Sequence, residues 1–345
     1  MGRYGRRISR SLIGVLIVTL VLGGLFYLKD LSTSDAEQTP AQAVRAPSPP
    51  RHSAAAPPRV LPSATQPGAT TAPSPTTAPT PLRNARDSGT STDLFTHAQR
   101  KRDAGDVLAA RAMLNDALLS GRLSGSDVDR AKQLISQINQ TVVFSSQRFD
   151  GDPFGGTYTV QSGDLLRKIA DKYDVTWELL ARLNGLSDPR KLRAGQTIKV
   201  IHGPFNAVVY KSRFMMDIYL GPPMESGCMY ITSYPVGLGK DDSTPTGSWL
   251  VEPQKKLKNP TYYSPRGEGV IAADDPANPL GERWIGLSGI DGHAVGKSSY
   301  GIHGTIDESS IGKMESMGCI RLKNADVEWL YDLLVEGKSV VVVKE

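Results

Sequence analysis

Residues 301–322 read GIHGTIDESSIGKMESMGCIRL and place one histidine, His303, sixteen positions before one cysteine, Cys319. A thiol with a pKa of about 8.5 is only a few per cent thiolate at neutral pH, so an imidazole neighbour would raise its reactivity. Gly318 would permit a tight turn whose backbone amides could donate to an oxyanion. Spacing alone leaves open whether Cys319 is a nucleophile or a buried apolar residue, and free cysteines are more often the latter.

Short strands surround this stretch. From residue 205 onward, apolar runs such as AVVYKS, FMMDIYL, MYITSYPVGL and GSWLVEP are separated by Gly and Pro, and the chain ends in SVVVVKE. This spacing predicts a mainly β domain over residues 205–345. One helix is predicted near Ala325–Leu334, where apolar residues recur at intervals of three and four.

The order of these residues resembles the catalytic domain of the L,D-transpeptidases, whose signature is an HG pair followed by S-x-G-C-hydrophobic-R. The strings IHGT and SMGCIRL match that signature. Six further segments agree with the family: Tyr234–Gly237, Thr244–Gly247, Asn259–Pro260, Asn278–Gly281, Ile311–Gly312 and Asn324–Asp326. The resemblance implies an L,D-transpeptidase-like β-sandwich or barrel in a multidomain protein.

The resemblance also implies roles for individual residues. Cys319 matches the family's nucleophile and His303 its general base. The backbone amides of Gly318 and Cys319 would donate to the oxyanion. The main-chain carbonyl of Gly304 would orient the imidazole.

The roles of four further residues can each be interpreted in two ways. Arg321 and Ser316 would orient the loop or a substrate carboxylate, and for Ser316 a purely structural role is an equal alternative. Tyr262 and Tyr263 match an aromatic wall of the family's pocket, with core packing as the alternative.

One position departs from the family pattern. Many relatives have a histidine directly before the Gly-Cys pair, whereas this chain has Met317. His293 could substitute for it, although a loop histidine is the simpler interpretation. Cys228 is interpreted as a buried strand residue that needs no partner.

Residues 157–201 read TYTVQSGDLLRKIADKYDVTWELLARLNGLSDPRKLRAGQTIKVI, a strand–helix–helix–strand pattern. Asp164 and Thr176 suit helix starts, and Asn184–Gly185 suits a helix end. The segment resembles the lysin motif (LysM), a β-α-α-β module that binds the N-acetylglucosamine backbone of peptidoglycan and chitin. The resemblance implies a glycan site between the Gly163–Asp164 turn and the loop before the last strand.

Residues 93–145 contain apolar residues at helical spacing and predict a helical region with the appearance of a single tetratricopeptide-like hairpin. Its predicted role is packing or contact with a protein partner that the sequence does not identify. Asn139-Gln140-Thr141 is a formal glycosylation sequon, which a bacterial setting would make accidental.

The N-terminal third predicts a membrane attachment. Residues 11–28 read SLIGVLIVTLVLGGLFYL, long enough to cross a bilayer, and follow four arginines that would keep the N-terminus in the cytoplasm. We therefore expect a cytoplasmic tail and single transmembrane anchor over residues 1–30, with the catalytic domain on the periplasmic side. A cleaved signal peptide is the alternative, but the run is long and no A-x-A site follows. Residues 31–92 are rich in Pro, Ala, Ser and Thr and predict a disordered linker.

Several partners are not expected. The net charge of +5 comes without a basic patch, so we predict no nucleic-acid binding. The two cysteines offer no disulfide framework, and the five histidines are too scattered to predict a metal site. The resemblance implies no organic cofactor.

The two resemblances imply a cell-wall transferase that binds the glycan of peptidoglycan and acts on its stem peptides. Such an enzyme would take part in cell-wall biogenesis and in determining cell shape. Cys319 would form a thioester with the third residue of a donor stem, and the amine of a second stem would complete a 3-3 cross-link. Water in place of the amine would make the chain an L,D-carboxypeptidase, a hydrolase. Attachment of proteins to the wall and a non-catalytic glycan-binding tether are further alternatives. A papain-like peptidase is disfavoured because its nucleophile precedes its histidine.

Overall fold

The computed structural model describes residues 91–267 and 269–345. The predicted anchor at 11–28 and the predicted linker up to residue 90 lie outside the described residues. Within those that are described, no helix is long and apolar enough to cross a bilayer.

Three helices precede the rest of the fold: α1 (Ser91–Asp103), α2 (Val107–Leu119) and α3 (Ser126–Val142). The side chain of Asp106 begins α2 by accepting from the backbone N–H of Ala109, at 3.3 Å. The segment is therefore one helix longer than a hairpin. We name α1–α3 the helical segment.

A βααβ module follows, as predicted. Its strands β1 (Gly155–Thr159) and β2 (Thr197–Ile201) pair antiparallel around α4 (Leu166–Lys172) and α5 (Trp177–Leu183). The hydroxyl of Thr176 caps α5 by accepting from the N–H of Leu179 at 3.0 Å, which confirms its predicted role.

Asp164 does not begin α4, in contrast to the prediction. The capping position is Leu165, which provides no side-chain hydrogen bond. Asp164 instead accepts hydrogen bonds from the hydroxyl of Tyr158 and the N–H of Gln161, both at 2.8 Å. These two donors hold the carboxylate against β1 rather than at the helix terminus.

The C-terminal part is built on one eight-stranded mixed sheet with the strand order β13-β11-β10-β7-β14-β3-β4-β5. In chain order the sheet contains β3 (Phe205–Tyr210), β4 (Met215–Leu220), β5 (Met229–Pro235), β7 (Gly247–Lys258), β10 (Arg283–Gly289), β11 (Tyr300–His303), β13 (Ile320–Arg321) and β14 (Val340–Lys344). Two small pairs complete the strands: β6 (Leu238–Gly239) with β12 (Met314–Ser316), and β8 (Tyr262–Tyr263) with β9 (Val270–Ile271). The predicted mainly β domain is confirmed, and the predicted helix is α6 (Asn324–Leu333).

The helical segment covers the outer edge of β5, the last strand of the sheet. The side chain of Asn139 on α3 donates to the carbonyls of Tyr230 and Ile231, at 3.1 and 3.0 Å. Asn115 on α2 accepts from the N–H of Tyr230 at 2.9 Å and donates to the carbonyl of Cys228 at 3.0 Å. The two amides thus pair backbone groups that an edge strand would leave unsatisfied. Asn139 is fully buried, which removes the sequon from consideration as a surface glycosylation site.

Buried charges join the helical segment to the βααβ module. Arg111 and Asp152 form an ion pair at 2.6 Å with both side chains almost inaccessible. Lys199 on β2 donates to the carbonyls of Val142 and Ser145, both at 2.7 Å, at the end of α3. Burial lowers the pKa of Lys199 to about 8. Burial thus disfavours the charged form of Lys199. The hydrogen bonds to the surrounding carbonyls offset part of that cost.

The βααβ module also packs on the β domain. Arg182 on α5 pairs with Asp332 on α6 at 2.7 Å and lies 4.0 Å over the ring centroid of Trp329. Glu178 on α5 pairs with Lys258 on β7 at 3.3 Å. The module is therefore held against α6 and β7 by charged contacts.

We predict that Asn139→Ala destabilises the protein by about 2 kcal/mol or more, because two buried carbonyls lose their donors. The substitution raises helix propensity, so any loss must come from the contacts of the side chain, namely the two carbonyls at the sheet edge and the Arg111 guanidinium, which donates to Asn139 Oδ1 at 3.4 Å. Urea unfolding measures the difference. The matched change Gln140→Ala, at an exposed amide one position along the same helix, should stay within about 0.5 kcal/mol. Equal effects of the two substitutions would contradict the assigned role of Asn139.

Candidate active site

The pairing of two strands brings the predicted histidine and cysteine together. Strands β11 and β13 run parallel, with Ile302 opposite Ile320 and His303 opposite Arg321. Cys319 directly precedes β13 and therefore lies beside Gly301, whose backbone N–H donates to the thiol sulfur. Alternate residues of a strand share one face, so Cys319 and His303 face the same side of the sheet.

His303 is held in one tautomer. Its Nδ1 lies 2.6 Å from the carbonyl oxygen of Gly304, the atom predicted to orient it. A carbonyl can only accept, so Nδ1 bears the proton and Nε2 of the neutral ring is a proton acceptor. Burial lowers the pKa of His303 to about 4, so the imidazole is neutral at pH 7. Trp284 stacks on the ring, with centroids 5.8 Å apart.

The thiol is also neutral in the resting protein. Burial raises the pKa of Cys319, against the opposing effects of the Gly301 N–H and the charge of Arg321. A neutral thiol beside a neutral imidazole is not a preformed ion pair. Such a pair can react with an acyl group only if the imidazole removes the proton as the sulfur attacks.

The turn before the thiol depends on Gly318 and Ser316. Gly318 has a φ of +122°, and a Cβ there would lie 2.8 Å from the ring of Tyr300. The hydroxyl of Ser316 accepts from the Gly318 N–H at 3.1 Å and donates to the carbonyl of Cys319 at 2.6 Å. Ser316 thus closes the turn that presents the sulfur.

This arrangement corrects the predicted role of the Gly318 amide. Its N–H is directed to Ser316, because the hydroxyl bridges both ends of the turn, and it is not free to donate to an oxyanion. The N–H of Cys319 has no hydrogen-bond acceptor among the described residues. Of the two predicted donors, the Cys319 amide is the one available to a ligand.

Arg321 is the cation nearest the thiol. It lines the same cleft, and its Nε is buried with no hydrogen-bond partner in the described part of the chain. That Nε is inaccessible from the cleft, so a carboxylate or carbonyl oxygen there could contact only the other nitrogens of the guanidinium.

A cleft with a volume of about 680 Å³ opens over Cys319 and His303. Tyr262 and Tyr263 of β8 line it, and Tyr263 is 71% exposed, which excludes core packing for that side chain. Met317 also lines the cleft and is 54% exposed. Sequence reasoning missed several lining residues that come from distant segments: Glu252, Lys255, Trp284 and Tyr300.

The two other residues singled out in the sequence, His293 and Cys228, lie outside the cleft. His293 is exposed in a short turn, hydrogen-bonds Thr246 at 2.9 Å, and does not line the cleft. Its imidazole does not replace the histidine that relatives have at the position of Met317. Cys228 is buried just before β5, as expected. Across residues 91–267 and 269–345, no three His, Cys, Asp or Glu side chains converge as metal ligands.

Two family models match the chain. The L,D-transpeptidase catalytic domain (YkuD) matches residues 208–343, and the LysM domain matches residues 158–200. The first range contains every residue of the cleft named above. The second contains both helices of the βααβ module, the last two residues of β1 and all of β2 but Ile201.

Individual proteins are similar to the chain to different extents. YqjB of Bacillus subtilis, named provisionally as an L,D-transpeptidase, is 42% identical over 115 residues, which cover 32% of this chain and 59% of the relative. A solved L,D-transpeptidase from Mycobacterium smegmatis is 17% identical with a TM-score of 0.29, covering 44% of this chain and 64% of that one.

A longer match comes from YkuD of Bacillus licheniformis, also named provisionally as an L,D-transpeptidase. It is 30% identical over 194 residues, which cover 54% of this chain and 97% of the relative. Since nearly the whole of that relative is matched, and its family's catalytic domain coincides with the sheet that holds Cys319, the chain belongs to the L,D-transpeptidase family.

Proposed function

We propose that the chain is a peptidoglycan L,D-transpeptidase that forms 3-3 cross-links through a thioester on Cys319. The main support is the tautomer of His303, whose protonated Nδ1 is bonded to Gly304 and whose Nε2 is a base in the same cleft as the thiol. That pairing is what acyl transfer by a neutral cysteine requires.

In the first half-reaction, the sulfur of Cys319 bonds to the carbonyl carbon at the L-centre of meso-diaminopimelate, the third residue of a donor tetrapeptide stem. His303 Nε2 takes the thiol proton. The N–H of Cys319 donates to the oxyanion. Collapse breaks the bond to the terminal D-Ala, whose amine receives the proton from His303, and a thioester remains.

In the second half-reaction, the amine at the D-centre of a second stem attacks the thioester carbon. His303 accepts a proton from that amine, and the sulfur leaves and is protonated again. The product is a cross-link between the third residues of two stems. Water in place of the amine would give a tripeptide and carboxypeptidase activity.

The remaining parts of the chain would bring the cleft to the wall. The βααβ module is proposed to bind glycan near the Gly163–Asp164 turn, where Asp164 and Tyr158 are hydrogen-bonded to each other. Residues 11–28 are proposed as a single anchor in the cytoplasmic membrane, with the catalytic domain on the periplasmic side. Both assignments follow from the sequence resemblance and composition.

The proposed reaction predicts a defined product. Full-length protein in detergent, incubated with a disaccharide tetrapeptide, should yield a dimer lighter than two monomers by one alanine molecule. Cys319→Ser should abolish it, and Cys228→Ser, which removes the other thiol, should retain it. Mass spectrometry separates the outcomes.

Other products would indicate other functions. Tripeptide alone would indicate a carboxypeptidase, and stem joined to an added protein would indicate protein attachment. No change in the substrate, with Cys319 also unreactive, would contradict an enzymatic function and favour a glycan-binding tether.

A second prediction concerns pH. Because the thiol pKa is raised and the imidazole is neutral above a pH of about 4, alkylation of Cys319 by iodoacetamide should be slow at pH 7 and rise continuously through pH 9. The rate is measured by intact mass, with Cys319→Ser as the blank. A rate that is high and constant between pH 6 and 8 would instead show a thiolate–imidazolium pair.

A further inference from the structure

Between the thiol and β7, the floor of the cleft is formed by two glycines and by the indole of Trp284, which lies over them. Gly301 of β11 pairs with Gly286 of β10, and Cys319 lies beside Gly301 on the other side. A Cβ on Gly286 would lie 2.7 Å from the Cβ of Lys255, and one on Gly301 would lie 2.6 Å from the ring of Trp284. The two glycines therefore form a channel that leads from the sulfur across the sheet to Lys255, and the indole of Trp284 lies flat in it.

The channel ends at an irregularity in β7. The pairing of β7 with β10 shifts between Ile285 and Leu287, so that several residues of β7 face the single residue Gly286. Gln254, within this bulge, has a φ of +60°. Bulges re-aim side chains and are common beside active sites. Here the bulge turns Glu252 and Lys255 toward the cleft, and both line it.

These two side chains have opposite charges but are not paired. Neither Glu252 nor Lys255 forms an ion pair or a side-chain hydrogen bond with any described residue, including each other. Most other charged side chains near this strand are paired, as Lys256 and Lys258 are. A carboxylate and an ammonium held apart on one wall are complementary to a ligand that has both charges.

The separation also agrees with the length of the substrate. Three strand spacings of about 4.8 Å place the backbone of β7 roughly 14 Å from that of Cys319. The side chain of Lys255 and the four-bond side chain of a diaminopimelate bound at the sulfur each extend about 5 to 6 Å, so their ends meet over the indole of Trp284. Arg321, two residues beyond Cys319 on the same strand, lies beside the reacting carbon and not at this end.

We propose that Lys255 and Glu252 recognise the free amino-acid end of the third donor residue, with the ammonium of Lys255 on its carboxylate and the carboxylate of Glu252 on its ammonium. This inference rests on the proposed function. It assigns a substrate class, namely stems whose third residue ends in a free zwitterionic centre. Stems with lysine or with an amidated diaminopimelate lack the anionic group that Lys255 would bind.

The test is alanine release by the full-length protein from three disaccharide tetrapeptides, with free diaminopimelate, its side-chain carboxamide, or lysine at position three. The free form should exceed the other two by about tenfold in kcat/KM, the value of one charge-assisted hydrogen bond. Lys255→Met should reduce this preference to about twofold or less by slowing only the free form. Glu252→Gln should slow all three stems, because each retains the ammonium.

The control is Lys297→Met, an exposed lysine outside the cleft, which should keep the tenfold preference. The iodoacetamide rate of Cys319 confirms that each variant retains its active site. Equal alanine release from the three stems, or an unchanged preference in Lys255→Met, would overturn this inference alone. No release from any stem by a protein whose thiol is intact would overturn the proposed function and this inference with it.

Discussion

The parallel pairing of β11 with β13 is the constraint on which the catalytic cleft depends. Only two residues of β13 take part, yet they fix Cys319 beside Gly301 and Arg321 opposite His303. The short strand is held on both sides, since the backbone of Arg321 also exchanges hydrogen bonds with Gly237 at 2.9 and 2.8 Å. The proposed nucleophile is therefore positioned by backbone bonds rather than by its own side chain, and its sulfur lines the cleft.

The electrostatics of the cleft follow from burial. Removing His303 from water lowers its basicity, and removing Cys319 lowers its acidity, so the resting pair is uncharged. A neutral pair avoids the cost of keeping two unsolvated charges in an empty site. In the proposed reaction, charge develops only as a substrate carbonyl is attacked, when the Cys319 N–H can stabilise it. The hydrogen bond from His303 Nδ1 to the Gly304 carbonyl leaves Nε2, the nitrogen that can accept a proton, free.

Local patterns were sufficient to predict the mainly β domain, the βααβ module, helix α6 and the cap at Thr176, because each depends on residues a few positions apart. Contacts between distant segments were not predictable in the same way. Asn139 was read as an accidental sequon because nothing nearby indicates that β5, 91 positions later, needs its amide. Asp164 was predicted to begin a helix and the Gly318 N–H to donate to an oxyanion, but Tyr158 and Ser316 take up their hydrogen bonds. The charges on the β7 bulge could be recognised only after the sheet order was known.

The position of the helical segment has a consequence for the behaviour of shorter fragments. A chain that begins at the βααβ module would lack Asn115 and Asn139, and the backbone of β5 would be open to water and to other molecules. Such an edge can add a strand from a second copy, so the fragment would self-associate as its concentration rises. The helical segment is in this sense an intramolecular blocker of aggregation, joined to the sheet it protects. The smallest unit that keeps this edge of β5 covered begins near Ser91 rather than at the first strand.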